Sequence, residues 1–468
     1  MSARVEGLVT IDDSLSIRDG RLFVEGCDTV ELARRFGTPL HVISEDQLRR
    51  NVARFTTAFH DAWPEGEARR LPSIKANLTL AVRRILTLEG TGCDTFGPGE
   101  LEAALRSGVR PELVSVNGSV KSPELIARAV EAGCRITLDD AREAELVLEA
   151  ARAAGRRAVV RFRVRPDYEG LDVPSEFFAE DVPIREAANA YKPGIPTEEL
   201  VELGPRLLAA DELDVEGVMA HLGRHHHGAE VWSAMASSLA ETIARLSTAW
   251  GGWAPRVIDV GGGFASRRDP TGRALPRGSA RPADDLSPPI EAYAGAVCSS
   301  LRTGLAERGV GTDGVVLEIE PGRALFADAG IHLATVRNVK AQTRPSPHRW
   351  VELDTTEMFL PDGLIEHNLW IAIVANRADE PESQVADVVG MSCGFDVLVA
   401  DASLPTVEAG DVVAFLDTGA YQDAASSNFN ALPRPATVLV HGDEADVVKR
   451  AETVDDVFAR DVVPERLR

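Results

Sequence analysis

A chain of 468 residues, 44% hydrophobic and 26% charged, has room for two buried cores and the balance of an ordinary globular protein. Its formal charge of −23 argues against a nucleic-acid partner, because phosphate backbones are met by clustered Lys and Arg. Five scattered cysteines (Cys27, Cys93, Cys134, Cys298, Cys393) lack paired spacing, so the expectation is a reducing, cytoplasmic setting without zinc cluster or disulfide framework.

The opening residues carry no apolar signal core, and no run nears the roughly 18 apolar residues of a membrane span. LSIRDGRLFVEG (15–26) reads as strands, and residues 1–45 are expected to lend strands to a β domain lying later in the chain. From residue 72 to about 320, short apolar runs alternate with helical patterns. The predicted strands are 72–76, 92–96, 113–117, 135–138, 158–164, 215–221, 256–260 and 314–320. Helices fall between them, as at 99–108 and at 141–155, where Gly155 is a C-cap. Eight such strands in about 250 residues fit a (β/α)8 TIM barrel over 46–326 better than an open doubly wound sheet. Two stretches rich in Pro, Gly and charge, 165–200 and 265–290, break the rhythm and read as lids or surface insertions. Beyond 326 come strands with Gly/Asp turns, as in VEAGDVVAFLDTGAY (407–421), so 327–468 is expected to form a mostly-β domain. The fold class is α/β: a barrel plus a C-terminal mostly-β domain joined by the N-terminal strands.

In LPSIKANLTLAV (71–82), Lys75 stands at the end of an apolar strand, where an unpaired ammonium costs several kcal/mol. It is either one half of a structural ion pair or a desolvated amine able to form a Schiff base with a carbonyl. Asp94, Asn117, Arg163, His221, Gly261 to Gly263 and Glu320 fall at the same end of other strands, where a barrel gathers its chemistry. VIDVGGGFAS offers bare backbone N–H groups to a monophosphate, or is simply a tight turn. In LEIEPGRALFADAG, Glu320 is placed to keep a heteroaromatic nitrogen protonated and Arg323 to bind an anion; the plainer reading is a surface pair. The consecutive histidines of HLGRHHH (221–227) cannot converge on one ion, so no metal is expected, and His221 is better placed to stack on a flat ring.

Taken in order, SIKANLTLAV, GCDTFGPGELEAALRSGV, VSVNGSVKSPEL, RFRVRPD, KPGIPTEEL, MAHLG, VIDVGGGF, EIEPGR, SCGFDVLVAD and DTGAYQDAASSNFNALPRPATVLV form a series spanning about residues 20 to 455. The series resembles the fold-type-III pyridoxal 5'-phosphate (PLP) decarboxylases, the group of diaminopimelate, ornithine and arginine decarboxylases. That resemblance implies decarboxylation of an amino acid, or of an intermediate derived from one, through a Lys75 Schiff base. It implies phosphate contacts from Gly261, Gly262, Gly263, Arg323 and Tyr421, a cofactor contact from Gly322, stacking by His221, and pairing of Glu320 with the ring nitrogen. Asp94 and Arg163 would support the site. Cys393 would donate the proton after CO2 leaves, reaching in from the partner subunit of a head-to-tail homodimer. Arg323, Gly394, Asp396 and Tyr421 would meet the substrate.

Three departures bear on substrate. The acid that usually follows the family's cysteine is Gly394 here, and Asp396 or Glu357 is left to replace it. The arginine of the diaminopimelate enzymes' RPALY-like segment is missing from TTEMFLPDGLIEH (355–367). Arg224 stands where the family usually has a serine near the phosphate, and it and the histidines after it are expected to contact that phosphate or an anionic group of the substrate. Two other readings compete: a racemase or epimerase on the same barrel, which Glu320 disfavours because racemases use an arginine there, and a non-catalytic PLP-binding homologue.

Overall fold

The computed structural model of the chain describes residues 14–172, 182–223, 228–268, 287–365 and 370–468. Arg224, His225 to His227 and most of the 265–290 stretch therefore lie outside the described residues. The chain divides into two compact units, one holding residues 49–268 and 287–325, the other 14–48 and 326–468. Among the described residues no helix is long and apolar enough to cross a membrane.

The first unit is an eight-stranded parallel sheet in the order Ala68–Arg70, Val316–Ile319, Val257–Asp259, Leu213–Met219, Ala158–Arg165, Arg135–Leu138, Val114–Val116, Cys93–Thr95. A single bridge between Ser73 and Asp94 ties the chain after the first of these strands to the last, so the sheet closes on itself. Helices alternate with the strands for local reasons. Pro123–Ala132 starts at Ser122, whose hydroxyl accepts from Leu125 N, and stops at Gly133 with φ 83°. Ala141–Ala154 starts at Asp140 and stops at Gly155, φ 61°, as its sequence implies. Each turns a stripe inward, such as Leu125, Ile126, Ala129 and Val130, and every large side chain so buried contributes roughly 1.5–3 kcal/mol.

One predicted strand is displaced. Residues 72–76 do not form a strand; the barrel strand is Ala68–Arg70, and Ile74–Ala76 is a single 3-10 turn. Pro72 has no N–H to give a ladder, so regular pairing ends before it. Lys75 is consequently not the buried lysine expected from the apolar run: Ile74 and Ala76 are buried, while the Lys75 side chain is exposed. The remaining seven predicted strands are present, with boundaries shifted by at most two residues.

The second unit is mostly β. Its large sheet runs Val397–Leu404, Gln384–Val389, His348–Leu353, Gly330–Gln342, Leu40–Ser44, Ala436–His441, Glu444–Lys449, with Val412–Leu416 and Ala372–Val374 paired off this path. Leu40–Ser44 is the N-terminal strand that enters it, antiparallel to Gly330–Gln342 and parallel to Ala436–His441. The run at 15–26 instead forms its own three-stranded sheet with Cys27–Asp28. One core gathers Leu22, Leu40, Val42, Leu333 and Val438, and another gathers Val351, Leu353, Val388, Val413 and Phe415.

Candidate functional site

Within the barrel unit, the residues at the C-terminal strand ends meet in one connected polar system. Ser73 N, two residues before Lys75, donates to Pro321 O at 3.1 Å, so the turn carrying Lys75 lies beside the residue that follows Glu320. The Lys75 ammonium sits 4.6 Å from the centroid of the Phe96 ring. Phe96 N, one residue before the N-cap Gly97 of the helix Pro98–Arg106, donates to Glu100 Oε2 at 2.7 Å. Burial holds the Glu100 carboxyl above its usual range, a rise opposed by that backbone N–H and by the Lys75 charge.

Asp94 is buried and receives Ser73 Oγ at 2.6 Å and Asn117 Nδ2 at 2.6 Å. The same Asn117 nitrogen donates to Glu320 Oε1 at 2.7 Å. Below this layer Arg161, fully buried, sends Nη1 to Glu318 at 2.6 Å, Nη2 to Ser115 at 2.6 Å and to Glu320 at 3.3 Å, and Nε to Thr137 at 2.8 Å. Asp259 lies 2.7 Å from Arg161 Nη1, close enough for ion pairing although poorly aligned for a hydrogen bond. Arg135 pairs with Glu318 at 2.5 Å and with Glu216 at 3.3 Å, and Arg69 approaches Glu318 at 3.7 Å.

Four carboxyl groups (Glu216, Asp259, Glu318, Glu320) thus share three guanidinium groups (Arg69, Arg135, Arg161), and a fifth, Asp94, joins them through Asn117. A low-dielectric interior does not tolerate that surplus of negative charge, and protons must make it up. Glu318 stays low because Arg135 and Arg161 outweigh its burial. Glu320 is pushed well above the ordinary carboxylate range, first by burial and then by the charges of Asp259 and Asp94. Burial raises Asp259 and Glu216 as well, and Glu320 is the one pushed well above the ordinary value.

This has a measurable consequence. Unfolded, Glu320 gives up its proton near the ordinary value of about 4.3. Folded, it keeps that proton to higher pH, so its contribution to stability is present below the ordinary value and is lost as pH rises through the folded one. Glu320→Gln, neutral at every pH, is therefore expected to gain stability relative to the native chain as pH rises from about 5 to about 8, both without cofactor. Denaturant midpoints across that range check it; a difference that does not vary with pH would contradict the protonated state.

His221 follows the strand Leu213–Met219 and is half-buried. Its Nδ1 accepts from Gly262 N at 3.2 Å, which leaves Nε2 to carry the proton of a neutral ring. Gly261 N donates to Asp259 Oδ1 at 2.7 Å. Two of the three glycine amides are therefore turned toward the protein's own groups. What the glycines provide is close approach: a Cβ at Gly262 would stand 2.1 Å from the Glu320 carbonyl oxygen, and one at Gly261, where φ is +70°, would stand 2.7 Å from His221 Nδ1. Arg323 is buried just beyond Gly322. Arg163 lies 3.9 Å from Asp139, and its neighbour in the alternation, Arg161, is the arginine that reaches Glu320.

Cys393, Gly394, Asp396 and Tyr421 belong to the β unit. Cys393 is exposed, whereas the other four cysteines are buried. The Asp396 carboxylate is buried and already occupied by Glu357 N at 2.6 Å, Ser392 N at 2.6 Å and Thr356 Oγ1 at 3.1 Å. Glu357 is different: its Oε1 lies 3.4 Å from where a Cβ on Gly394 would stand, and burial together with Asp396 raises its pKa. Tyr421 holds φ +67° at the head of Gln422–Ala425.

Sequence reasoning missed Arg161, Glu318 and Asp259 as partners of Glu320, and Ser73 as a partner of Asp94. A signal was present: residues 161 and 163 of RFR, like 318 and 320 of EIE, alternate onto one face of their strands.

Residues 45–327 match the family described as pyridoxal-dependent decarboxylase, pyridoxal binding domain. The chain is 32% identical to a diaminopimelate decarboxylase of Methanothermobacter thermautotrophicus, covering 96% of this chain and 97% of that one. It is 30% identical to that of Archaeoglobus fulgidus, covering 97% and 99%. Among solved structures, a diaminopimelate decarboxylase from M. jannaschii superposes with a TM-score of 0.86 at 28% identity, covering 98% of this chain and 99% of that one.

Proposed function

The chain belongs to the pyridoxal-dependent decarboxylases and is an amino-acid decarboxylase that uses pyridoxal 5'-phosphate; on that footing we propose that Lys75 is the amine holding the cofactor covalently. The observation that carries this is the Lys75 turn, hydrogen-bonded beside the residue that follows buried Glu320. The residues suit the cofactor. The chain offers a primary amine, a carboxyl whose pKa burial raises, an imidazole and a buried guanidinium, with a glycine backbone that comes close to the imidazole and to Glu320. When bound, the cofactor supplies an electron sink for the bond to the departing carboxylate.

The chain's own residues then have separate tasks. Glu320, with Oε1 held by Asn117 and Arg161, presents its proton to the ring nitrogen. His221 is oriented by Gly262 to lie against the ring. Gly263, Gly322, Arg323 and Tyr421 bind the phosphate, with Gly261 and Gly262 supplying room more than donors. Asp94 and Arg163 support the site through Asn117 and Asp139. Cys393 gives its proton to the substrate carbon that has lost CO2, acting as a general acid from a second copy of the chain in a head-to-tail dimer.

The relatives named above are decarboxylases, which leaves racemisation and a non-catalytic role without support. Their printed substrate is diaminopimelate, whereas in this chain Gly394 stands where the family's cysteine is usually followed by an acid. Of the two acids near it, Asp396 is spent on its own loop, so Glu357 is the one available there. The test is CO2 release from a panel of amino acids, diaminopimelate included, with Cys393→Ala alongside. That variant should keep the bound cofactor's colour and lose roughly a hundredfold or more in product release. A panel in which every amino acid keeps its carboxylate would overturn the proposal.

A further inference from the structure

We infer that Asn430 is a positioning residue for Cys393, clamping it by an amide that gives a hydrogen bond to the sulfur and takes one from the backbone. The inference rests on the assignment of Cys393 as proton donor. Asn430 sits in the short turn Phe429–Ala431 with φ +57°, a left-handed conformation that asparagine tolerates better than most residues. Its Oδ1 accepts from Cys393 N at 3.0 Å, and its Nδ2 lies 3.3 Å from Cys393 Sγ. The amide can face only one way. A backbone N–H donates and never accepts, so the atom facing it is the oxygen, and the NH2 is left for the sulfur.

The rest of the loop is held by other groups. Ser392 N donates to Asp396, and Gly394 N donates to Ser392 Oγ at 3.3 Å. Among the described residues, Asn430 is thus the side chain that addresses residue 393 itself. Its chemical value lies in the proton transfer. The S–H bond breaks, a C–H bond forms at the substrate carbon, the electron pair stays on sulfur, and water later returns a proton to the thiolate. A donated N–H stabilises that thiolate about twice as strongly as it stabilises the neutral thiol. The second contact, to the backbone, fixes the direction in which Sγ points.

Asn430→Asp separates these roles because it is nearly isosteric. One carboxylate oxygen still accepts from Cys393 N, while the other replaces the N–H facing sulfur. The full chain, supplemented with cofactor, is treated with iodoacetamide near neutral pH without substrate, and Cys393 alkylation is followed by peptide mass. Decarboxylation kinetics and melting temperature are measured in parallel. Asn430→Asp should slow alkylation and lower kcat by about tenfold each, with KM within about twofold and melting unchanged. Phe429→Ala, which loosens the turn but keeps the amide, should leave both rates near those of the native chain. Native rates in Asn430→Asp, or equal losses in both variants, would overturn the inference. Product release at the native rate in Cys393→Ala would overturn the donor assignment, and the catalytic half of the inference with it, even if alkylation still responded to Asn430→Asp.

Discussion

Lys75→Ala is expected to lower turnover by roughly three orders of magnitude or more while leaving the fold intact. The two halves of that expectation come from different atoms. The turn is held by buried Ile74 and Ala76 and by the Ser73–Pro321 hydrogen bond, none of which needs the lysine side chain. That side chain is exposed and lies against the Phe96 ring, so removing it opens no cavity, while Glu100 loses one of the charges that lower its pKa. What disappears is the only amine in that turn able to bond a carbonyl. CO2 release, visible absorbance and melting temperature, taken together, check the prediction. A variant that melts normally yet keeps a tenth of native activity would contradict it.

Arg161→Leu is expected to do the reverse, costing about 3–5 kcal/mol of stability before any chemistry is considered. Arg161 is fully buried and is the group shared by Glu318, Asp259 and Glu320. Removing it leaves carboxyl groups without a counter-charge in the middle of the barrel. The double variant Arg161→Leu/Glu318→Leu should recover part of the loss. An apolar pair often replaces a buried ion pair at little cost, and Arg135 would still have Glu216. Denaturant unfolding of both variants against the native chain measures this. A single variant within about 1 kcal/mol of native would show that the cluster is not the charge-balanced unit described here.

Much of the barrel was legible because strands buried on both faces read as apolar runs, and seven of the eight did so. The eighth, Ala68–Arg70, was hidden because two of its three residues are arginines, and Arg69 is drawn inward by Glu318, a partner far away in sequence. The apolar run next to it, broken by Pro72, was the one that looked like a strand. The positions of Asp94, His221 and Glu320 followed from counting to the ends of strands. The partners of Glu320 did not, because choosing Arg161 over Arg163 requires knowing which layer of the barrel interior each side chain reaches. The glycine run raised the expectation of free amides; instead two of them turn to Asp259 and His221. Asn430 lies 37 residues from Cys393, beyond the reach of any local pattern.

The most direct test is borohydride reduction of the cofactor-loaded chain, followed by peptide mapping. Reduction should fix one pyridoxal phosphate moiety on the peptide containing Lys75 and on no other. Colourless protein with no added mass, or label at Lys121, whose ammonium is buried against Glu143, would contradict the account.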